Sequence, residues 1–145
     1  MATPQDADLI IKLYDLRRDE TMRKARNYFA FDFFPKSVDD VKEVLFNVQE
    51  YPEQNAYFRQ VISYWEMAAA MVNHGSIDRA LFLDTNGELF GVWAKIVDFI
   101  EDLRASLGPQ FLANLEKLIA SAPDGAKRVQ TMKERFNAVA AQRAR

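Results

Sequence analysis

The chain has no cysteine. Disulfides, thiolate metal ligands and cysteine nucleophiles are therefore excluded, and the composition fits a reducing compartment, so the expected location is cytoplasmic. Histidine is almost as scarce, with His74 standing alone. Zinc prefers nitrogen and sulfur ligands. A di-metal carboxylate site in a bundle needs Glu-x-x-His pairs on facing helices. Met71 stands three residues before His74, so neither a metal nor a cofactor is expected. Glycine and proline number five each, and no Gly-x-x-x-x-Gly-Lys loop or Gly-x-Gly-x-x-Gly turn occurs, which leaves little room for a phosphate cradle of those kinds. The longest purely apolar run, Met67 to Val72, is far too short to cross a bilayer. The opening MATPQDADLI has no basic start followed by an apolar core, so no signal peptide is expected. Charge of one sign is not in excess either. The net charge of −2 gives no global field that recruits nucleic acid or membrane.

What is present is apolar and aromatic. Of the 145 residues 49% are apolar and 28% charged, with eleven Phe, five Tyr and two Trp. A chain of this length folds as one domain and hides roughly 68–70% of the surface that the unfolded chain exposes. Helical spacing dominates. Thr3-Pro4 opens a first helix that carries Leu9, Leu13, Leu16, Met22, Ala25 and Phe29 and fades near Phe33, because Pro35 disfavours helical geometry at Phe34. Ser37 caps a second helix, Val38 to Val48. A third starts after Pro52 and runs to His74, and Gly75 is placed for a left-handed stop. Ser76 is read as the cap of a short fourth helix, Ile77 to Leu83. Asp84-Thr85-Asn86-Gly87 is a turn, after which a fifth helix spans about Glu88 to Leu107 and a sixth about Pro109 to Ala122. The last segment, Ala126 to Arg145, is basic, has a thin apolar stripe, and is expected to fray at its end. With no strand-like alternation, the expected fold is a single all-α domain, a compact antiparallel bundle of six to seven helices.

The polar residues give few leads. His74 ends a helix, and its plain reading is a surface or capping histidine, with a pH-sensitive switch or a ligand contact as the functional alternative. Arg104 follows the inward row Trp93, Val97, Ile100, so it needs an acid partner, and Glu66 or Asp78 from the third or fourth helix is the expected one. In the basic stretch Arg17 to Arg26, the pairs Asp19–Arg23 and Glu20–Lys24 have the spacing of helical ion pairs, so a solvated, self-paired face is expected and nucleic-acid binding is not. Lys127 to Arg145, with Lys127, Arg128, Lys133, Arg135, Arg143 and Arg145 against Glu134, is less neutralised. Tyr64, Trp65 and Trp93 are core anchors in the plain reading and the wall of a small-molecule pocket in the other, with His74 beside them.

The segments LYDLRRDETMRKARNYF, FRQVISYWEMAAAMVNHGSID, LFLDTNGELFGVWAKI and FIEDLR together resemble a family of uncharacterised bacterial helical proteins. The shared pattern falls here on Tyr64, Trp65, Glu66, Met67, Ala68, Gly75, Ile77, Asp78, Phe82 and Arg104. The resemblance implies a soluble helical bundle and supplies no reaction and no catalytic residues. Some relatives carry an N-terminal membrane segment; none is expected here, so no membrane role is carried over. The function expected is a non-enzymatic protein-interaction module that self-associates as a homo-oligomer. The alternatives are a small-molecule-binding bundle and a weak binder of anionic polymers through the basic C-terminal segment. Only acid–base work by carboxylates is left to an enzyme, and no pair stands out.

Overall fold

Thr3 and Asp6 cap each other. The Thr3 hydroxyl accepts the Asp6 N–H at 3.3 Å, and the Asp6 carboxylate accepts the Thr3 N–H at 2.6 Å, a capping box. From there α1 runs Pro4–Arg17 in the computed structural model, which describes residues 1–144. Asp6 also accepts the Asp78 N–H at 2.9 Å, joining the start of the chain to its middle. The Thr3 hydrogen bonds hold its carboxyl below the usual range.

The continuous stripe predicts one helix to Phe33, but the chain breaks at Arg18–Asp19. Asp19 uses its carboxylate on the Thr21 and Met22 N–H groups, at 3.1 and 3.2 Å, and so starts α2, Glu20–Asn27. Short acidic side chains compete with the helix ladder in this way. The expected Asp19–Arg23 ion pair therefore does not form, while Glu20–Lys24 does, at 3.4 Å. A π-helical segment, Tyr28–Asp32, comes next, closed by the Phe33 N–H on the Tyr28 carbonyl at 2.9 Å.

Ser37 caps α3, Val38–Phe46, which stops short of Val48. α4, Pro52–Asn73, ends where glycine predicts: Gly75 has φ +85°, Ser76 N–H bonds the Met71 carbonyl and Gly75 N–H the Val72 carbonyl. The cap of α5, Arg79–Thr85, is Asp78 and not Ser76, since Asp78 accepts the Leu81 N–H at 2.9 Å. The expected fifth helix is divided into α6, Glu88–Ile96, a tighter turn at Val97–Phe99, and α7, Ile100–Leu107. α8 begins at Ala113, not Pro109, because Leu112 takes φ +54° and stops the helix from starting earlier. That conformation costs a non-glycine residue about 1–2 kcal/mol, and burial of the Leu112 side chain offsets it. α9 spans Gly125–Arg143.

The result is an all-α bundle, with no strand among the described residues. α4, about 33 Å long by helix rise, is its axis, and α2, α3 and α8 pack on it, while α6 packs on α9 and α8. Phe29, Phe33 and Phe58 meet ring to ring at 5.1–5.8 Å in the core. α9 is docked on α6 and α8. Val129 is buried, and Met132 and Phe136 approach α6 at Gly91, where an added Cβ would stand 3.0 Å from Met132. Near the C-terminal end of α9, Arg143 bonds the Phe31 carbonyl and lies 3.7 Å from Asp32. Arg145 lies outside the described residues. No helix among the described residues is long and apolar enough to cross a membrane.

Candidate functional site

Six of the seven polar and aromatic residues singled out in the sequence do three separate jobs. Tyr64, Trp65 and Trp93 are buried core. The Tyr64 hydroxyl donates to the Leu13 carbonyl at 2.6 Å, holding α1 to α4, and burial pushes its phenol up to about 12. Trp65 lies under the Arg17 guanidinium, 5.3 Å from its ring centre. Glu66 caps α8 from across the bundle, accepting the Asn114 and Leu115 N–H groups at 3.1 and 2.8 Å. Asp78 caps α5. Because both acids are used as caps, neither is the partner of Arg104. The turn at residues 108–112 folds α8 back instead, and Arg104 donates to the Phe111 carbonyl at 2.9 Å and to Glu116 at 3.2 Å. His74 stands exposed at the end of α4.

Two ionic features went unread in the sequence. One is Lys95, which is 6% exposed in the last turn of α6, a helix buried on every side from Leu89 to Ile96. Its ammonium donates to the carbonyls of Phe29, Ala30 and Phe33. The π-helical segment leaves these acceptors at its end, and Pro35 has no N–H to offer them. Phe34 and Phe136 supply ring faces 4.0 and 4.3 Å from the ammonium. Burial, with a smaller push from Arg143, takes Lys95 down to about 7. The signal in the sequence was a single charge inside LFGVWAKIV. The other feature is Glu88, in the first turn of α6, which accepts from Arg26 at 2.9 Å and lies 3.8 Å from Arg17.

Open space lies on both sides of the contact between α6 and α9. One cleft, of about 260 Å³, is lined by Phe29, Val61, Gly91, Val92, Met132 and Phe136, with Arg26 and Glu88 as its charged members. Beside it a groove of about 640 Å³ is lined by Gly87, Phe90, Lys127, Arg128, Thr131 and Arg135, with Asp124 opposing their charge. Glu88 and Met132 border both. Arg128 is seated: its guanidinium carbon lies 3.9 Å from the centre of the Phe90 ring, and a Cβ added at Gly87 would stand 3.1 Å from its nitrogen. Of the basic residues in the last segment, Lys133 pairs with Asp98 and Arg143 with Asp32. Lys127, Arg128 and Arg135 have no carboxylate partner among the described residues. No group of three or more histidine or acidic side chains among the described residues is placed to hold a metal.

Fold and surface thus define a helical domain with a filled aromatic core and a basic groove along its last helix. The chain belongs to a family described as a domain of unknown function, DUF4760, whose model matches residues 2–122. No curated protein and no solved structure matches it.

Proposed function

We propose that this protein is a non-enzymatic binding module whose working surface is the basic groove between α6 and α9, and that its partner carries oxyanions. The observation that carries this reading is Arg128. A guanidinium held on an aromatic face, without a carboxylate of its own, is pre-organised for planar bidentate recognition of phosphate or carboxylate. Lys127 and Arg135 add positive charge in the same groove. Retention on immobilised heparin tests the reading. The wild-type protein is expected to be retained and released by salt, with the Arg128→Ala, Arg135→Ala double variant eluting earlier. Equal elution of the two refutes it.

A second reading, self-association, is favoured by the outer flank of α1, where Ile11 and Tyr14 are 60% and 54% exposed one turn apart. A two-fold dimer would bury them. Sedimentation velocity that gives a monomer at high concentration refutes this reading.

A further inference from the structure

The groove and the apolar cleft share Glu88 and Met132 as walls, and they differ sharply in character. From this we infer that they form one site for a free amphipathic anion, a phosphate monoester head at Arg128 joined to a short apolar tail in the cleft at Gly91. The inference rests on the reading of the groove as an oxyanion surface and adds the chemical class of the group attached to the head.

Three features support it. First, Gly91 keeps the wall between the two spaces thin: α6 and α9 meet there without an α6 side chain between them, and an added Cβ would stand 3.0 Å from Met132 and 3.4 Å from Phe136. Second, the wall between the two spaces is an unbranched, flexible methionine, a residue that adapts its shape to a ligand. Third, the head is best matched by a dianion. Three cations without carboxylate partners line the groove against one acid, Asp124, which leaves a surplus of two positive charges, whereas the acid that borders both spaces, Glu88, is taken by Arg26 and Arg17. The cleft, at about 260 Å³, falls below the roughly 300–1,000 Å³ of pockets for drug-sized ligands, so the tail is short. That size fits a single-chain molecule taken from solution and not a two-chain lipid.

Calorimetric titration of the full-length protein with methyl, butyl and octyl phosphate, each kept below its micelle concentration, tests the site. Affinity is expected to rise about fourfold for each methylene that enters the cleft and then to level off. Ala30→Phe, which places a ring in the cleft, should erase the advantage of the longer esters. The series on the wild-type protein decides the matter even if that variant does not fold. Equal affinity for all three esters overturns this inference and leaves the oxyanion groove standing. Binding of none overturns this inference as well, and the heparin comparison of wild type with the Arg128→Ala, Arg135→Ala variant then decides the groove reading by itself. Binding only to vesicles containing phosphatidic acid, with no affinity for free octyl phosphate, also overturns it and points to a membrane surface.

Discussion

Replacing Lys95 with methionine tests the least expected part of this core. Methionine matches the length of the lysine stem and keeps its packing between Phe34 and Phe136, but it donates nothing. The bonds to Phe29 and Phe33 are buried and the bond to Ala30 is partly so. A buried carbonyl left without a donor costs about 1–3 kcal/mol. With two of them orphaned, Lys95→Met should lose about 2–6 kcal/mol at pH 9. The loss should depend on pH, and linkage sets its sign. Lys95 titrates at about 7 in the folded protein against 10.5 as its ordinary value. Below pH 7 both states carry the proton. Between 7 and 10.5 the unfolded chain binds a proton that the folded chain does not, so wild-type stability rises with pH across that window. Each pH unit is worth about 1.4 kcal/mol, so the gap between wild type and variant should widen by about 2–3 kcal/mol from pH 7 to pH 9. Asp32 and Arg143, the charges that act on Lys95, are present in both proteins and cancel in the comparison. Urea unfolding of the two proteins at both pH values, read by far-UV circular dichroism, measures the gap. A gap that stays constant refutes the depressed lysine, and a variant as stable as wild type at pH 9 refutes the carbonyl cap.

The packing sets three further outcomes. At Gly125 an added Cβ would stand 2.1 Å from the Ile119 carbonyl oxygen, so Gly125→Ala must shift backbone between α8 and α9. A loss of about 2–3 kcal/mol, seen as a fall in Tm of about 5–10 °C, is expected, and an unchanged Tm contradicts the close approach. Glu66→Ala removes the acceptor for two N–H groups of α8 and should cost about 1–2 kcal/mol in denaturant unfolding, with Glu66→Gln losing clearly less. Tyr64→Phe deletes the bond to Leu13 and should cost about 1 kcal/mol while speeding amide exchange in α1 beyond that of α4; uniform acceleration would mean that α1 is held by something else.

How much of this was legible depends on how local the cause is. The cap at Thr3, the cap at Ser37 and the glycine stop at Gly75 each depend on a few adjacent residues, and all three formed. The break at Asp19 was hidden because the apolar period runs through it unchanged. There a single carboxylate had two uses, an ion pair or a cap, and the cap satisfied two backbone donors. Leu112 carried no glycine or asparagine to announce its positive φ, and burial of its side chain holds it there. The Arg104 partner was missed for a related reason. Glu66 and Asp78 are each taken as a helix cap, Glu66 by α8 across the bundle and Asp78 by its own helix α5. Lys95 was unreadable by face, since α6 presents no solvent side on which to place a charge. Only its isolation among apolar neighbours pointed to a buried, fully bonded ammonium.

The burial of α6 also explains why α9 belongs to the site. A helix that is apolar all round must be covered all round, and the family match ends at Ala122, before α9 begins. Within the matched segment, Phe90, Gly91 and Lys95 each present something that α9 completes. Arg128 covers the ring of Phe90, Met132 and Phe136 fill the approach at Gly91, and Phe136 gives Lys95 one of its ring faces. The cover is also what brings Lys127, Arg128 and Arg135 beside the N-terminal end of α6. The packing demand of α6 and the charge of the groove are therefore met by the same helix. A relative with the matched segment but no helix equivalent to α9 would need another cover for α6, and it would lack the cations on which the proposed binding depends.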